Sequence, residues 1–170
     1  MTRQELERIV TEFMDSLTTI TLACSLEDRP WAAAVYYARQ GFDLVFFSSS
    51  DSLHSRNLSR NPRAAAAIHG DYRGWKEIKG LQMEGTVEPI SGAAATARAL
   101  ATYLKCYPFA KEFFADPGSI SPRVALKMRK MALYRFRPDN IRYLNNEAGF
   151  GTRWKLELKG GKPFGDAVLA

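Results

Sequence analysis

Two cysteines and two histidines in 170 residues, and no apolar run near the roughly 18 to 20 residues that span a bilayer, set the first limits on this chain. Cys24 and Cys106 form neither a Cys-x-x-Cys pair nor a Cys/His cluster, which argues against a zinc site of local spacing. Reduced, partly buried thiols are expected instead. There is no Gly-x-x-x-x-Gly-Lys-Ser/Thr loop, no His-Glu-x-x-His and no Gly-x-Ser-x-Gly elbow, so self-contained hydrolytic catalysis has little to work with. The N-terminus, Met1-Thr2-Arg3-Gln4-Glu5, enters a charged amphipathic segment rather than an apolar signal core, and a cytoplasmic protein outside the membrane is expected. Like charges nowhere form a block of five or six. The net charge of +6 favours anionic company: nucleic acid, an acidic membrane surface or a phosphorylated small molecule. Basic residues scattered from Arg3 to Lys162 read as a solvated surface, not as a dedicated nucleic-acid arm.

What is present is ordinary globular material, 46% hydrophobic and 12% aromatic. At roughly 150 residues per domain one domain is expected, and a chain of this size buries on the order of 70% of its unfolded surface without disulfides or a metal. Leu6, Ile9, Val10, Phe13, Met14 and Leu17 recur at helical intervals behind a Thr2/Glu5 capping box. Strands follow at Thr19–Leu26, Trp31–Ala38 and Phe42–Ser49, separated by turns at Glu27-Asp28-Arg29-Pro30 and Arg39-Gln40-Gly41. Connections this short imply antiparallel pairing. A short helix is expected after Ser50, ending before Asn61-Pro62. The alanine-rich run Arg63–His69 suits helix or strand equally.

Glu77–Ile90 reads as a long strand bent or bulged at Gly80 or Gly85. Helices are expected over residues 92–105, at Pro108–Ala115 and at Val124–Lys130, with a break at Asp116-Pro117-Gly118-Ser119. Strands at Ala132–Arg137 and Ile141–Asn145, separated by Pro138-Asp139, and at Trp154–Leu158 close the pattern. Residues 1–158 are thus read as one domain and 159–170 as a frayed tail. The fold class is α+β, mainly β: a closed antiparallel sheet with lateral helices.

With few acids and bases of its own, the chain is expected to draw chemistry from a bound cofactor. The strongest constellation is Phe46-Phe47-Ser48-Ser49 running into Asp51-Ser52-Leu53-His54-Ser55-Arg56-Asn57-Leu58. Hydroxyls at Ser48, Ser49 and Ser52, amides at a helix start and Arg56 one turn along make a phosphate cradle. Each charge-assisted hydrogen bond contributes about 1.5 to 3 kcal/mol, so three or four offset much of an association cost of roughly 4 to 15 kcal/mol. Asp51 must then point away or cap its helix, because its carboxylate repels a phosphate. A polar, capped surface helix is the plainer alternative.

The order Pro30, Val35-Tyr36-Tyr37, Gly41, Leu44-Val45-Phe46-Phe47-Ser48, Ser52-x-His54, Asn57-Leu58 and Asn61-Pro62-Arg63 resembles the pyridoxamine 5'-phosphate oxidase-like FMN-binding split barrels. Gly80-Leu81-Gln82-Met83-Glu84-Gly85 is similar to that family's strand beside the isoalloxazine. Ile141-Arg142-Tyr143, Asn145-Asn146, Gly149-Phe150-Gly151, Trp154, Tyr103 and Tyr107-Pro108-Phe109-Ala110 resemble its YhbP-like subgroup. The resemblance covers residues 5 to 158 and rests on the order of the motifs.

It implies FMN with its phosphate at Ser48, Ser49, Ser52 and His54, and Arg56 nearby. His54 stands where many relatives have lysine, so binding would lean on Arg56 or a protonated imidazole. Ala33, Ala34 and Val35 would lie against the flavin ring, Gln82 would reach its pyrimidine edge, and Trp154 would touch cofactor across a subunit boundary or be a plain half-buried aromatic like Trp31 and Trp75. The resemblance further implies a homodimer with cofactor at the interface and a flavin-dependent oxidoreductase of unknown substrate. A deazaflavin or haem in the same cleft, and a non-catalytic flavin or haem carrier, are the alternatives; haem would need an axial ligand from His54, His69, a cysteine or a methionine.

Overall fold

The computed structural model describes residues 1–111 and 130–170. The helix expected at Val124–Lys130, the break before it and the second half of the one at Pro108–Ala115 lie outside the described residues, apart from Lys130, which sits in a turn.

Helix α1 (Arg3–Ser16) starts at the capping box: Thr2 Oγ1 accepts from the Glu5 amide and the Glu5 carboxylate accepts from the Thr2 amide. Strands β1 (Thr19–Leu26) and β2 (Arg29–Gln40) are joined by Glu27 and Asp28, both with positive φ (52° and 58°). Two such residues make a hairpin turn whose twist matches its strands, so β2 begins earlier than Trp31. Strand β3 (Asp43–Ser49), helix α2 (Leu53–Arg60), β4 (Arg63–His69), β5 (Lys79–Pro89) and helix α3 (Ala93–Cys106) follow. A 3-10 turn at Pro108–Lys111 ends the first described stretch. Beyond residue 129 come β6 (Met131–Asn145), β7 (Arg153–Lys159) and β8 (Lys162–Leu169).

The strands form one antiparallel sheet in the order β3-β2-β1-β4-β5-β6-β7-β8, and β3 also pairs with β6, which closes the first six into a barrel. Beyond its pairing with β3, which ends at Phe136, β6 takes β7 as its neighbour over Asn140–Leu144. Strand β2 pairs with β3 only over Tyr37–Gln40, so from Arg29 to Tyr36 it has β1 on one side and, among the described residues, no strand on the other. The barrel is split there, as the fold class anticipated. Pro30 sits in this half, where a missing N–H deprives no second strand.

Arg63–His69 is a strand because it lies between β1 and β5: Ala64, Ala66 and Ile68 face the core while Arg63, Ala65 and His69 face out. Pro138-Asp139 does not divide β6. A register shift between Glu84 and Gly85 accommodates Pro138 opposite Gly85, whose absent Cβ would stand 2.1 Å from the Arg137 carbonyl oxygen. Residues 162–169 form a strand rather than a frayed tail. Gly160 and Gly161, both at positive φ, make a two-residue turn after Lys159, and β8 returns along β7. Its side chains are mostly exposed, so it carries little hydrophobic alternation. Of the two thiols, Cys24 is buried and Cys106 is exposed, against the expectation for the latter.

The barrel interior holds Ile20, Leu22, Leu44, Phe46, Ile68, Leu81, Met83, Phe136 and Ile141, with α1 contributing Leu6, Val10 and Met14. A second cluster forms where Ala99 and Tyr103 of α3 cover Ala38, Val45 and Leu133 on the outer face. Here the Tyr107 hydroxyl meets the carbonyls of Thr18 and Tyr37, while the Tyr37 hydroxyl donates to the Met14 carbonyl. Burial pushes the Tyr103 hydroxyl up from 10.0 to about 12, and Tyr37 and Tyr107 also lie well above the usual phenol range, chiefly through burial. Folded-state values above the unfolded one stabilise the fold below pH 10.0, and that stability drains away as pH climbs toward 12. In an alkaline titration these three phenolates should appear only with loss of the native circular dichroism; their ionisation in still-folded protein would contradict this packing.

Candidate cofactor site at the β3–α2 junction

Strand β3 delivers Ser48 and Ser49 to the rim of the barrel, and the chain turns at once into α2. The turn is closed by the Ser50 amide on the Lys130 carbonyl (2.9 Å), the Ser52 amide on the Ser49 carbonyl (3.0 Å) and the Asp51 amide on Ser49 Oγ (3.3 Å). Ser52 caps α2 by accepting from the Ser55 amide. The Asp51 carboxylate is paired with Lys130, whose ammonium holds it below the usual carboxylate range. Asp51 is thus offset by Lys130, and it also lies within the field of Arg56.

The serines do not form an open ring of hydroxyls. Ser48 is buried, and its Oγ lies 2.6 Å from His54 Nε2 and 3.1 Å from Ser52 Oγ. Ser52 Oγ donates to Ser55 Oγ (2.8 Å), and Ser55 Oγ in turn reaches Ser48 Oγ at 3.4 Å. Ser48 thus supports His54 from behind. Burial lowers the pKa of His54 and so favours the neutral imidazole; of the two alternatives, Arg56 or a protonated ring, this leans toward Arg56 in the free protein. Arg56 is exposed and makes no side-chain hydrogen bond or ion pair among the described residues, though its charge is felt by Asp51. Also among the described residues, the Leu53 and His54 amides in the first turn have no acceptor, which is the usual state of a helix start.

The remaining candidates divide between two faces. Ala33 and Val35 pair with the inward-facing Leu22 and Ile20, while Ala34 lies opposite Thr21 on the outer face. The three therefore cannot all present side chains to one flat ring; what they share is the unpaired backbone edge of β2. Gln82 is exposed on the outer face, in one transverse row with Ala34, Thr21, Ala67 and Arg142. It borders a cavity of about 300 Å³ floored by Thr21, Ala23, Ala65 and Ala67 and walled by Glu84 and Arg142, which are ion-paired. Trp154 faces the core instead, stacked on Tyr143 with ring centres 6.2 Å apart. Its place in the protomer is that of a half-buried sheet aromatic, whereas Trp31 and Trp75 are exposed.

Ser55 was not among the residues expected at the site. Its signal was its position three residues beyond Ser52, on the same helical face. It also lines a mainly apolar cavity of about 330 Å³ with Leu58, Pro62, Val87 and Tyr134. Of the histidines, His69 is exposed on the outer edge of β4, with Nδ1 3.0 Å from the Gly70 carbonyl. No group of three or more potential metal ligands occurs among the described residues, and no helix there is long and apolar enough to cross a membrane.

Several known proteins are similar to this chain. A UPF0306 protein of Klebsiella pneumoniae is 24% identical over 142 residues, 81% of this chain and 85% of its own length. A haem-binding protein of Mycobacterium smegmatis superposes with a TM-score of 0.66 at 23% identity, over 85% of this chain but only 55% of that one. An FAD-binding protein of Mesorhizobium loti gives a TM-score of 0.60 at 15% identity, over 79% and 88%. At these identities the two structures speak for the fold alone. Residues 6–144 match the family model for pyridoxamine 5'-phosphate oxidase, a stretch that runs from α1 through the split barrel and both halves of the β3–α2 junction to the end of β6. By that match and its architecture, the chain belongs to the pyridoxamine 5'-phosphate oxidase family of split barrels.

Proposed function

We propose that this is a cytoplasmic FMN-binding protein, a flavin-dependent oxidoreductase working as a homodimer. The observation that carries the reading is the helix start beside the split. Two amides unpaired among the described residues, the Ser52 hydroxyl and the exposed guanidinium of Arg56 lie within one turn of α2, and the Asp51 carboxylate on that turn is tied to Lys130. These groups suit a phosphate dianion, because the positive end of a helix and its orphan amides favour negative charge. Ser48, Ser52 and Ser55 are bonded to one another, and Ser48 and Ser52 also to His54. Ser48 and Ser55 thus hold the cluster in place, and the Ser52 hydroxyl must leave Ser55 to reach a ligand. A bound flavin would supply reversible hydride acceptance; the chain supplies its position and ties the nearby Asp51 carboxylate to Lys130.

A second copy is the proposed cover for the outer face, where Ala23, Ala32, Ala34, Ala65 and Ala67 leave the sheet flat enough for close approach. The alternative cofactor, haem, is favoured by one observation, the accessible imidazole of His69.

The test compares FMN with riboflavin, which lacks the phosphate. Combining Ser52→Ala with Arg56→Ala should weaken FMN binding by about 10- to 100-fold, equivalent to one lost charge-assisted hydrogen bond. Riboflavin affinity should stay within about twofold of wild type, since no contact to the ring is removed. Equal losses for both ligands would place the phosphate elsewhere. A Soret band in the purified protein, lost in His69→Ala, would replace flavin by haem.

A further inference from the structure

Three serine hydroxyls and one imidazole nitrogen form a closed cluster, in which Ser52 Oγ also lies 3.1 Å from His54 Nε2, and its shortest link bears on which ring nitrogen carries hydrogen. Ser52 Oγ donates to Ser55 Oγ and Ser55 Oγ to Ser48 Oγ. The Ser48 hydroxyl then has two acceptors in reach, Ser52 Oγ at 3.1 Å and His54 Nε2 at 2.6 Å, and the shorter link favours the ring nitrogen. With Nε2 accepting, the ring proton resides on Nδ1, which has no partner among the described residues. A proton added to this imidazole must go to Nε2. That nitrogen then becomes a donor, the Ser48 hydroxyl turns to Ser55 or Ser52, and the polarity of the chain reverses. The reversal ends at Ser52, the half-buried helix cap, whose own O–H is released from Ser55 and freed to point outward while it still accepts from the Ser55 amide.

We propose that the β3–α2 junction is a proton-linked anion site: binding of a phosphate monoester draws one proton from solvent onto His54 Nε2, and the reversed serine chain presents the Ser52 hydroxyl to the anion. This rests on the phosphate placement above and adds its regulation. Two donors appear together at the helix start, an imidazolium and a hydroxyl, and neither is available while the imidazole is neutral.

The charged groups around His54 leave this proton to the ligand. Asp51 is paired with Lys130 and Glu27 with Arg60, and Arg56 lies on α2 itself. Strand β5 brings Glu88, which is turned to Arg135 and Arg137; β1 brings the buried Cys24 thiol, which accepts from Asn57; β2 brings Arg29 at its start. None of them contributes to the His54 shift, which arises from burial alone. An arriving dianion is the missing countercharge. Because the bound form holds a proton that the free form lacks, affinity rises as pH falls and levels off once free His54 itself protonates.

The phosphate monoester also titrates, near about pH 6, in the opposite sense for binding. His54→Gln therefore serves as the reference, retaining a neutral hydrogen-bonding side chain. FMN binding by the intact protein and by His54→Gln should be measured from about pH 8 to about pH 5.5, where a histidine changes charge. The wild-type to variant affinity ratio should rise about tenfold or more across this range. Calorimetry at the upper end, in buffers of different ionisation enthalpy, should register close to one proton taken up per FMN by wild type and none by the variant. Nitrogen-detected imidazole spectra should give the Nδ1–H tautomer in free protein. A flat ratio with intact FMN binding, or an Nε2–H tautomer, would overturn the proton linkage and leave the phosphate site standing. Failure of wild type to bind FMN at any pH would remove both.

Discussion

Gly85→Ala should destabilise the protein by about 3 kcal/mol, the upper end of what overpacking usually costs. An added Cβ would lie 2.1 Å from the Arg137 carbonyl oxygen and 2.8 Å from both the Arg137 carbonyl carbon and the Pro138 Cα. All three are backbone atoms of the strand to which Gly85 is paired, so no rotamer change relieves the clash. Relief requires β5 and β6 to separate at the register shift that admits Pro138 to the middle of a sheet. Gly41→Ala is the matched control. Its Cβ would meet nothing within 4 Å, and its φ of +69° leaves only the left-handed backbone penalty, about 1 to 2 kcal/mol. Urea midpoints of both variants decide the matter: equal losses would mean that the close approach at Gly85 does not constrain the fold.

Phe136→Ala should cost about 3 to 5 kcal/mol, the range for truncating a fully buried phenylalanine. Its side chain has no exposure, and its backbone is paired on both sides, with Leu44 of β3 and Val87 of β5. It therefore sits where the sheet closes on itself, and the cavity would open under that closure. For a domain of this size the melting point should fall by roughly 10 °C. Phe136→Leu, which keeps most of the volume, should lose no more than about 1.5 kcal/mol if the effect is packing. A loss in Phe136→Ala below about 1 kcal/mol would mean that the neighbouring chains collapse into the space.

The amphipathic α1, the β1–β3 meander, α2 and α3 were legible because each carries its own period and its own stop: Thr2 and Glu5 at one helix, Asn61-Pro62 after another. Arg63–His69 was not, since alanine satisfies either period; what decided it was the pairing of β4 with residues 40 to 46 positions before it and 11 to 23 after, which local composition does not encode. Pro138 misled in the opposite direction. A proline in a strand ordinarily ends it, and the glycine that lets this one stay is more than fifty residues away. Strand β8 was hidden because a strand exposed on most of its surface needs no hydrophobic alternation, although Gly160-Gly161 between Leu158 and Pro163 marked the turn.

At the site, residue types were readable and their division of labour was not. Ser48, Ser52 and His54 do converge, but Ser48 serves the imidazole, and Ser55 completes the set. Ala33, Ala34 and Val35 alternate between faces, as any three consecutive strand residues must, so they share only their main chain.

That last feature bears on how this region tolerates change. From Arg29 to Tyr36 the flank of β2 that is unpaired among the described residues offers the main-chain groups of alternate residues, about 6.6 Å apart along the strand. Whatever is recognised along that flank is read by atoms common to nearly every amino acid. Substitutions at Ala33 or Ala34 can then alter how closely a guest approaches without erasing the polar pattern that greets it. Sequence drift here would be nearly silent for recognition, and relatives would share a binding edge while sharing few letters.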